Sequence, residues 1–179
     1  MRVLLDACVL YPTVMREVVL GCAKAGLFEV RWSERILEEW ARATVKLGPE
    51  AEVFAHGEIA VLGAQFPDAI VPVNEGLEQR LWLPDPNDVH VLTSAVAGSC
   101  DAIMTVNAKD FPRNVLAEEG VARVDPDNFL CGFLTDHKPD VCGVCEQVLG
   151  QARAMSGEDW TMRKLMKKAR LPRLGKALG

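Results

Sequence analysis

The sequence predicts an α/β fold built on a central, mostly parallel sheet, and three observations carry that expectation. Short apolar runs that read as buried strands recur through the first two-thirds of the chain. Segments with helical spacing lie between them, and turn residues punctuate the two. Strands alternating with helices in this way imply βαβ units with right-handed crossovers. From about Phe129 only helical signals remain, so the chain is expected to divide into an α/β body over 1–128 and a helical C-terminal segment over 129–179.

Val3-Leu4-Leu5 has no polar alternation, which fits a strand covered on both faces, and it ends on the carboxylate of Asp6. Pro12 stands where a helix starts. Val14, Val18 and Cys22, spaced four apart, give Thr13 to Ala25 an apolar face, and Gly26 stops it. Phe28-Glu29-Val30-Arg31-Trp32 alternates as a second strand, after which Ser33 caps a helix that carries Glu34 in its first turn and turns Ile36, Leu37 and Trp40 inward. Another helix covers part of Glu50 to Gln65, and Ala69-Ile70-Val71-Pro72-Val73 reads as a third strand. Two prolines and an asparagine make Leu83 to Asp88 a turn. From Asp88 a helix runs through Val91, Leu92, Ala95 and Val96 to Gly98. Ala102 to Val106 is then a fourth strand, Val121 to Val124 a fifth, and the tail containing Pro172 and Gly175 is expected to fray.

The chain has 179 residues, 49% hydrophobic and 25% charged, the balance of an ordinary soluble globular protein. A chain of this length buries roughly two-thirds of its unfolded surface, so disulfides and structural metals are functional options and not folding requirements. The N-terminal apolar run is too short for a signal peptide and no later stretch is long enough to span a bilayer, so the expected location is cytoplasmic, away from membranes. Most of the six cysteines sit singly in apolar segments. Cys142-Gly-Val-Cys145, with Cys131 and His137 upstream, offers either a zinc site without the usual two tight pairs or, more simply, the core stripe of a helix.

The formal net charge of −5 argues against a protein that coats nucleic acid by bulk electrostatics. That average hides a split. From Gln151 to Gly179 eight basic residues face two acidic ones, +6 locally, which leaves −11 for the rest.

Ligands of parallel sheets collect beyond the carboxyl ends of the strands, so acids there count most. Asp6 closes the first strand, Asp88 opens the helix before the fourth, Asp110 follows the fourth through Asn107-Ala108-Lys109, and Glu38 and Glu39 lie early in the helix after the second. Taken singly, Asp88 reads equally as a helix cap, and Glu38 and Glu39 as a solvated face. Together they form an all-oxygen carboxylate cluster suited to Mg²⁺ or Mn²⁺, and the chemistry such a site favours is hydrolysis of a phosphodiester. A phosphatase forming a phospho-aspartate on Asp6 would need a second acid two residues on, where this chain has Cys8.

Four segments, Leu4-Leu5-Asp6-Ala7-Cys8-Val9-Leu10, Trp32-Ser33 with Ile36-Leu37-Glu38-Glu39-Trp40, Asp85-Pro86-Asn87-Asp88-Val89-His90-Val91-Leu92, and Thr105-Val106-Asn107-Ala108-Lys109-Asp110-Phe111-Pro112, resemble PIN domains in kind and order. The resemblance implies a three-layer α/β/α fold with a C-terminal helical extension. It also implies a Mg²⁺- or Mn²⁺-dependent ribonuclease like the VapC-type toxins of bacterial toxin–antitoxin pairs. Carried over by motif, Asp6, Glu39, Asp88 and Asp110 match the family acids and metal ligands, Glu39 being preferred to Glu38 because it follows a polar position after Ile-Leu and precedes Trp40. Many PIN domains have Asp where this chain has Asn107, which is expected to coordinate through its carbonyl or hold a metal-bound water while Asp110 supplies the missing charge, with Thr105 orienting the site.

The implied partners are an RNA substrate and a cognate antitoxin protein, and a homodimer is compatible with the family. Arg163, Lys164, Lys167 and Lys168 recur at helical spacing in the basic segment, where they would contact RNA phosphates, form a solvated face, or receive an acidic antitoxin segment. The alternative to an enzyme is a catalytically degenerate module that binds RNA or protein without cutting, which Asn107 favours.

Overall fold

The computed structural model describes residues 1–179, which resolve into two units, one of 1–11 and 29–124, the other of 12–28 and 125–179. In the first unit, β1 (Arg2–Leu5) buries Val3, Leu4 and Leu5 completely, as an apolar run without alternation requires. Asp6 then breaks the strand and stands at the N-cap of a single helical turn, α1 (Ala7–Leu10), which the sequence does not signal. In the second unit, α2 (Thr13–Lys24) starts directly after Pro12 and ends before Gly26, whose φ of 85° is the left-handed conformation a glycine stop supplies.

Back in the first unit, β2 (Glu29–Arg31) pairs parallel with β1, matching Val3 to Val30. Ser33 caps α3 (Glu34–Ala43) by accepting a hydrogen bond from the Ile36 amide at 3.2 Å, and Ile36, Leu37, Trp40 and Ala41 form its buried face. The chain continues through α4 (Ala51–Gln65), α5 (Glu75–Arg80), a 3-10 turn (Pro86–Asp88) and α6 (Val89–Ala97) to β3 (Ala102–Met104). It ends in α7 (Arg113–Glu118) and β4 (Ala122–Val124). All strand pairings are parallel and the order is β2-β1-β3-β4, giving the expected α/β/α architecture with further helices in the C-terminal part. The chain moves from β1 to one side and then returns to the other, so the strand order reverses between β1 and β3. The carboxyl ends of those two strands are therefore where this class of sheet holds a ligand.

The expected strand over Ala69 to Val73 is not formed. Ile70 makes one parallel bridge to Trp32, with Trp32 N donating to Ala69 O (2.9 Å) and Val71 N to Trp32 O (2.8 Å). Only alternate residues face the neighbouring segment, so the next partner of this ladder would be Glu34, which already belongs to α3; the pairing stops there and the sheet has four strands. The strand expected to reach Val106 stops at Met104, because the Val106 N–H turns to Cys8 Sγ at 3.4 Å.

In the second unit, α8 (Pro126–Gly132), α9 (Lys138–Ser156), α10 (Met162–Lys168) and α11 (Pro172–Leu178) follow in order. Gly21 of α2 permits a close helix approach, since a Cβ there would lie 2.5 Å from Val144 Cγ1 of α9. Phe28, Phe129 and Phe133 stack and edge together with centroids 5.1–6.1 Å apart. The six cysteines are free and do not gather into a metal group. Cys145 lies in the buried stripe of α9, where burial pushes its thiol up to about 12, the state of a small hydrophobe and not of a zinc ligand. The tail expected to fray is instead a helix. Buried Asp127 accepts the Arg173 and Leu174 amides at 2.9 Å each, which satisfies two N–H groups of the first turn of α11, and Leu174 is fully buried.

Asp127→Ala is expected to leave both amides unpaired and to destabilise the protein by about 2 kcal/mol, read by chemical denaturation. Ile103→Ala in fully buried β3 should cost about 2–5 kcal/mol through its cavity. Ser33→Ala should cost about 1 kcal/mol.

Candidate active site

Parallel pairing sets Leu5 of β1 beside Met104 of β3, so the residues that follow, Asp6 and Thr105, emerge together at the strand ends. Asp6 is 8% exposed, and a buried carboxylate needs donors. Its Oδ2 accepts the Thr105 hydroxyl at 2.7 Å and the Cys8 thiol at 3.0 Å. Thr105 Oγ1 in turn accepts the Asn107 amide at 3.0 Å, and Asn107 Nδ2 donates to Asp110 Oδ2 at 2.7 Å. One chain of hydrogen bonds thus runs from Asp6 to Asp110. Asn107 directs its amide nitrogen to Asp110 and serves as the holder of that carboxylate.

Cys8 was not anticipated as part of the site. Burial, then the neighbouring Asp6, push its thiol up to about 12, so it is a neutral donor and not the acid/base that a phospho-aspartate mechanism would place at this position.

Asp88 ends the 3-10 turn and stands at the N-cap of α6. Its carboxyl is pushed up to about 6, first by desolvation and then by the charges of Asp6, Asp85, Asp110 and Glu39, in that order. Asp85, Asp88 and Asp110 each offer an oxygen within 4.8 Å of the others. Asp85 was legible only as a turn former. It does cap the 3-10 turn, accepting the Asn87 N–H (2.9 Å) and Nδ2 (3.0 Å) on Oδ1. The three-residue period of that turn, however, also brings it to the same side as Asp88.

Of the adjacent pair on α3, Glu39 is the one whose charge reaches Asp88. It lies 2.8 Å from Nε2 of buried His90, an ion-pairing distance without hydrogen-bond alignment, and 3.7 Å from Arg35 Nε. Glu38 points elsewhere, to Arg42 Nε at 3.1 Å and to a surface group with Glu52 and His56. The four basic residues expected to contact RNA lie in and beside α10, exposed to solvent.

Desolvation and the charges of the neighbouring carboxylates together raise the proton affinity of Asp88. Every charge acting on Asp88 is negative, so the protein supplies no cation that neutralises it. An all-oxygen donor set with uncompensated charge fits a hard divalent ion such as Mg²⁺ or Mn²⁺ and excludes a thiolate or imidazole site.

The chain was compared with known proteins on this basis. A family model described as PIN domain matches residues 2–109. No curated protein and no solved structure was found to match. The matched residues contain β1, β2 and β3 with Asp6, Glu39, Asp85, Asp88 and Asn107, and Asp110 lies one residue past their end. A match over more than half of the chain, across both the sheet and the acids at its strand ends, shows that the protein belongs to the PIN-domain family and has its nuclease-type fold.

Proposed function

We propose that the protein is a Mg²⁺- or Mn²⁺-dependent endoribonuclease and the toxin of a type II toxin–antitoxin pair. The observation that carries this reading is Asp88, pushed up to about 6 by desolvation and then by four other carboxylates, with no positive charge among those acting on it. Asp85, Asp88 and Asp110 would hold the ion, with Asp6 and Glu39 completing the set. When bound, the ion supplies positive charge at the scissile phosphate and makes nearby water more acidic. Thr105 and Cys8 fix the Asp6 carboxylate, and Asn107 fixes Asp110, so the donors are oriented before substrate arrives. Deprotonated carboxylates also orient an attacking water by accepting its protons. Arg163, Lys164, Lys167 and Lys168 are proposed to contact phosphates without reading sequence. The site is expected to work in the cytoplasm against cellular RNA until an antitoxin protein covers it.

Asp6→Asn and Asp88→Asn are expected to abolish Mn²⁺-dependent cleavage of total RNA and the growth arrest caused by expression in bacterial cells. Cleavage that survives in either variant, or in EDTA, sinks the reading. Thr105→Ala should lower the cleavage rate by about tenfold or more with little loss of stability, because it frees Asp6 without removing it.

The raised Asp88 carboxyl also sets a pH dependence. The unfolded chain loses this proton near the ordinary carboxyl value of 3.8, whereas the folded protein holds it to about 6. Between these values the folded state binds more protons, so the metal-free protein loses stability as pH rises from about 4 to 6. Asp88 is half exposed and solvent screens the effect. The expected fall in Tm is therefore roughly 2–4 °C, the shift produced by about 1 kcal/mol in a chain of this size. Asp88→Asn should remove that fall. Mn²⁺ should raise the wild-type Tm more at pH 7 than at pH 5, since protons compete for the same oxygens.

A further inference from the structure

The three segments that carry Asp85, Asp88 and Asp110 also build a cavity of about 270 Å³, with Arg80, Trp82, Leu92, Val115, Glu118 and Glu119 among its lining residues. Trp82 stands three residues before Asp85, so a fully extended chain would put it at most about 10 Å away. Leu92 lies one helical turn beyond Asp88 on the same face of α6, and Val115 follows Asp110 on α7. One strand of nucleic acid can therefore reach both the carboxylates and the cavity.

Trp82 is 62% exposed, while Trp32 and Trp40 are 1% exposed. An indole left in water beside aliphatic Leu92 and Val115 is an unpartnered stacking face, not a piece of core. The volume falls below the roughly 300–1,000 Å³ of sites that hold drug-sized ligands, and so suits a single ring system. The polar lining is specific as well. Arg80 and Glu119 satisfy each other in a two-pronged pair, Nη1 to Oε1 at 3.0 Å and Nη2 to Oε2 at 2.9 Å, which leaves that rim neutral. Glu118 is exposed and makes neither a hydrogen bond nor an ion pair within the protein.

On the ribonuclease reading above, we propose that this cavity is a nucleobase subsite, in which Trp82 stacks on an unstacked base of the RNA strand and the Glu118 carboxylate selects guanine. A carboxylate only accepts hydrogen bonds. Guanine offers two adjacent donors, N1–H and N2–H, on its Watson–Crick edge. Adenine and cytosine set one amino group beside an acceptor nitrogen, and uracil sets its single N–H between two carbonyls, so each brings an acceptor against Glu118. Stacking on an aromatic is tolerant of base identity, which leaves selection to the carboxylate.

The test is an indole N–H spectrum of the ¹⁵N-labelled protein in EDTA, titrated with single-stranded uridine oligonucleotides carrying one central guanine, adenine or cytosine. Trp82 is assigned as the signal lost in Trp82→Phe. The guanine oligonucleotide is expected to shift the Trp82 signal and to bind about tenfold tighter than the others. Trp82→Ala should weaken its binding by about tenfold or more, and Glu118→Gln should erase most of the guanine preference. A Trp82 signal that stays in place, or that responds equally to all bases, overturns the subsite. No cleavage is needed for this readout, so that failure is distinct from the loss of nuclease activity that would overturn the parent reading.

Discussion

The hydrogen bond from Thr105 Oγ1 to Asp6 Oδ2 ties the chemistry to the sheet. Asp6 leaves β1 and Thr105 leaves β3 at the one place where the strand order reverses, and parallel register alone makes them neighbours across 99 residues of sequence. A nearly buried carboxylate without donors would be expensive enough to stay protonated or to disrupt the strand end. The Thr105 hydroxyl and the Cys8 thiol, both donating to Asp6, hold its carboxyl in place, and the same hydroxyl passes the constraint on through Asn107 to Asp110. The site is therefore rooted in the strand ends through Asp6 and Thr105, and the turn that carries Asp85 and Asp88 completes it.

That root explains why the crowding of charge is tolerated. Asp88 sits on a capped 3-10 turn that its own sequence makes stiff, with Pro86 inside it and Asp85 bonded to Asn87. Repulsion from four other acids cannot relax by moving the turn and appears instead as a raised proton affinity. A fold that keeps such repulsion gives up stability locally, and residues that violate ordinary stabilising patterns without compensation are the ones expected at functional sites. Elsewhere some charges are neutralised in pairs, as in the Arg80–Glu119 pair and the Arg42–Glu38 pair. The contrast between paired surface charges and unpaired acids at the strand ends is the electrostatic mark of the site.

Much of this was legible in the sequence, for reasons that differ by residue. The β1 and β3 strands and the acids after them could be read because a buried strand has an unmistakable apolar run and its end is where a carboxylate becomes conspicuous. The helix of Glu39 was equally clear from Ser33 and the spacing of Ile36, Leu37 and Trp40. Asp85 was hidden because a turn explains it fully at the local level, and only the three-dimensional path of the turn shows a carboxylate oxygen of it near those of Asp88 and Asp110. Cys8 was hidden by the same logic, since a small apolar residue needs no polar partner until a buried carboxylate is known to face it. The strand expected at Ala69 is reduced to one bridge because the segment it faces turns into α3 directly after Trp32, which the hydrophobicity and β-branching of its own local pattern cannot reveal.

Charge shows most clearly how a global quantity can mislead. A net −5 would discourage any nucleic-acid partner, yet ionic screening limits each charge to about 8 Å at physiological salt, so a polyanion responds to the local field and not to the sum. Locally the two units differ in charge. Residues 151–179 carry +6 and expose Arg163, Lys164, Lys167 and Lys168 on one short helix, while in the other unit the acids converge at the strand ends. On the proposed ribonuclease reading, a divalent ion held by those acids would offset their charge where the scissile phosphate sits, so the acidity that first argued against RNA is local to the reacting phosphate and does not bear on the rest of the strand.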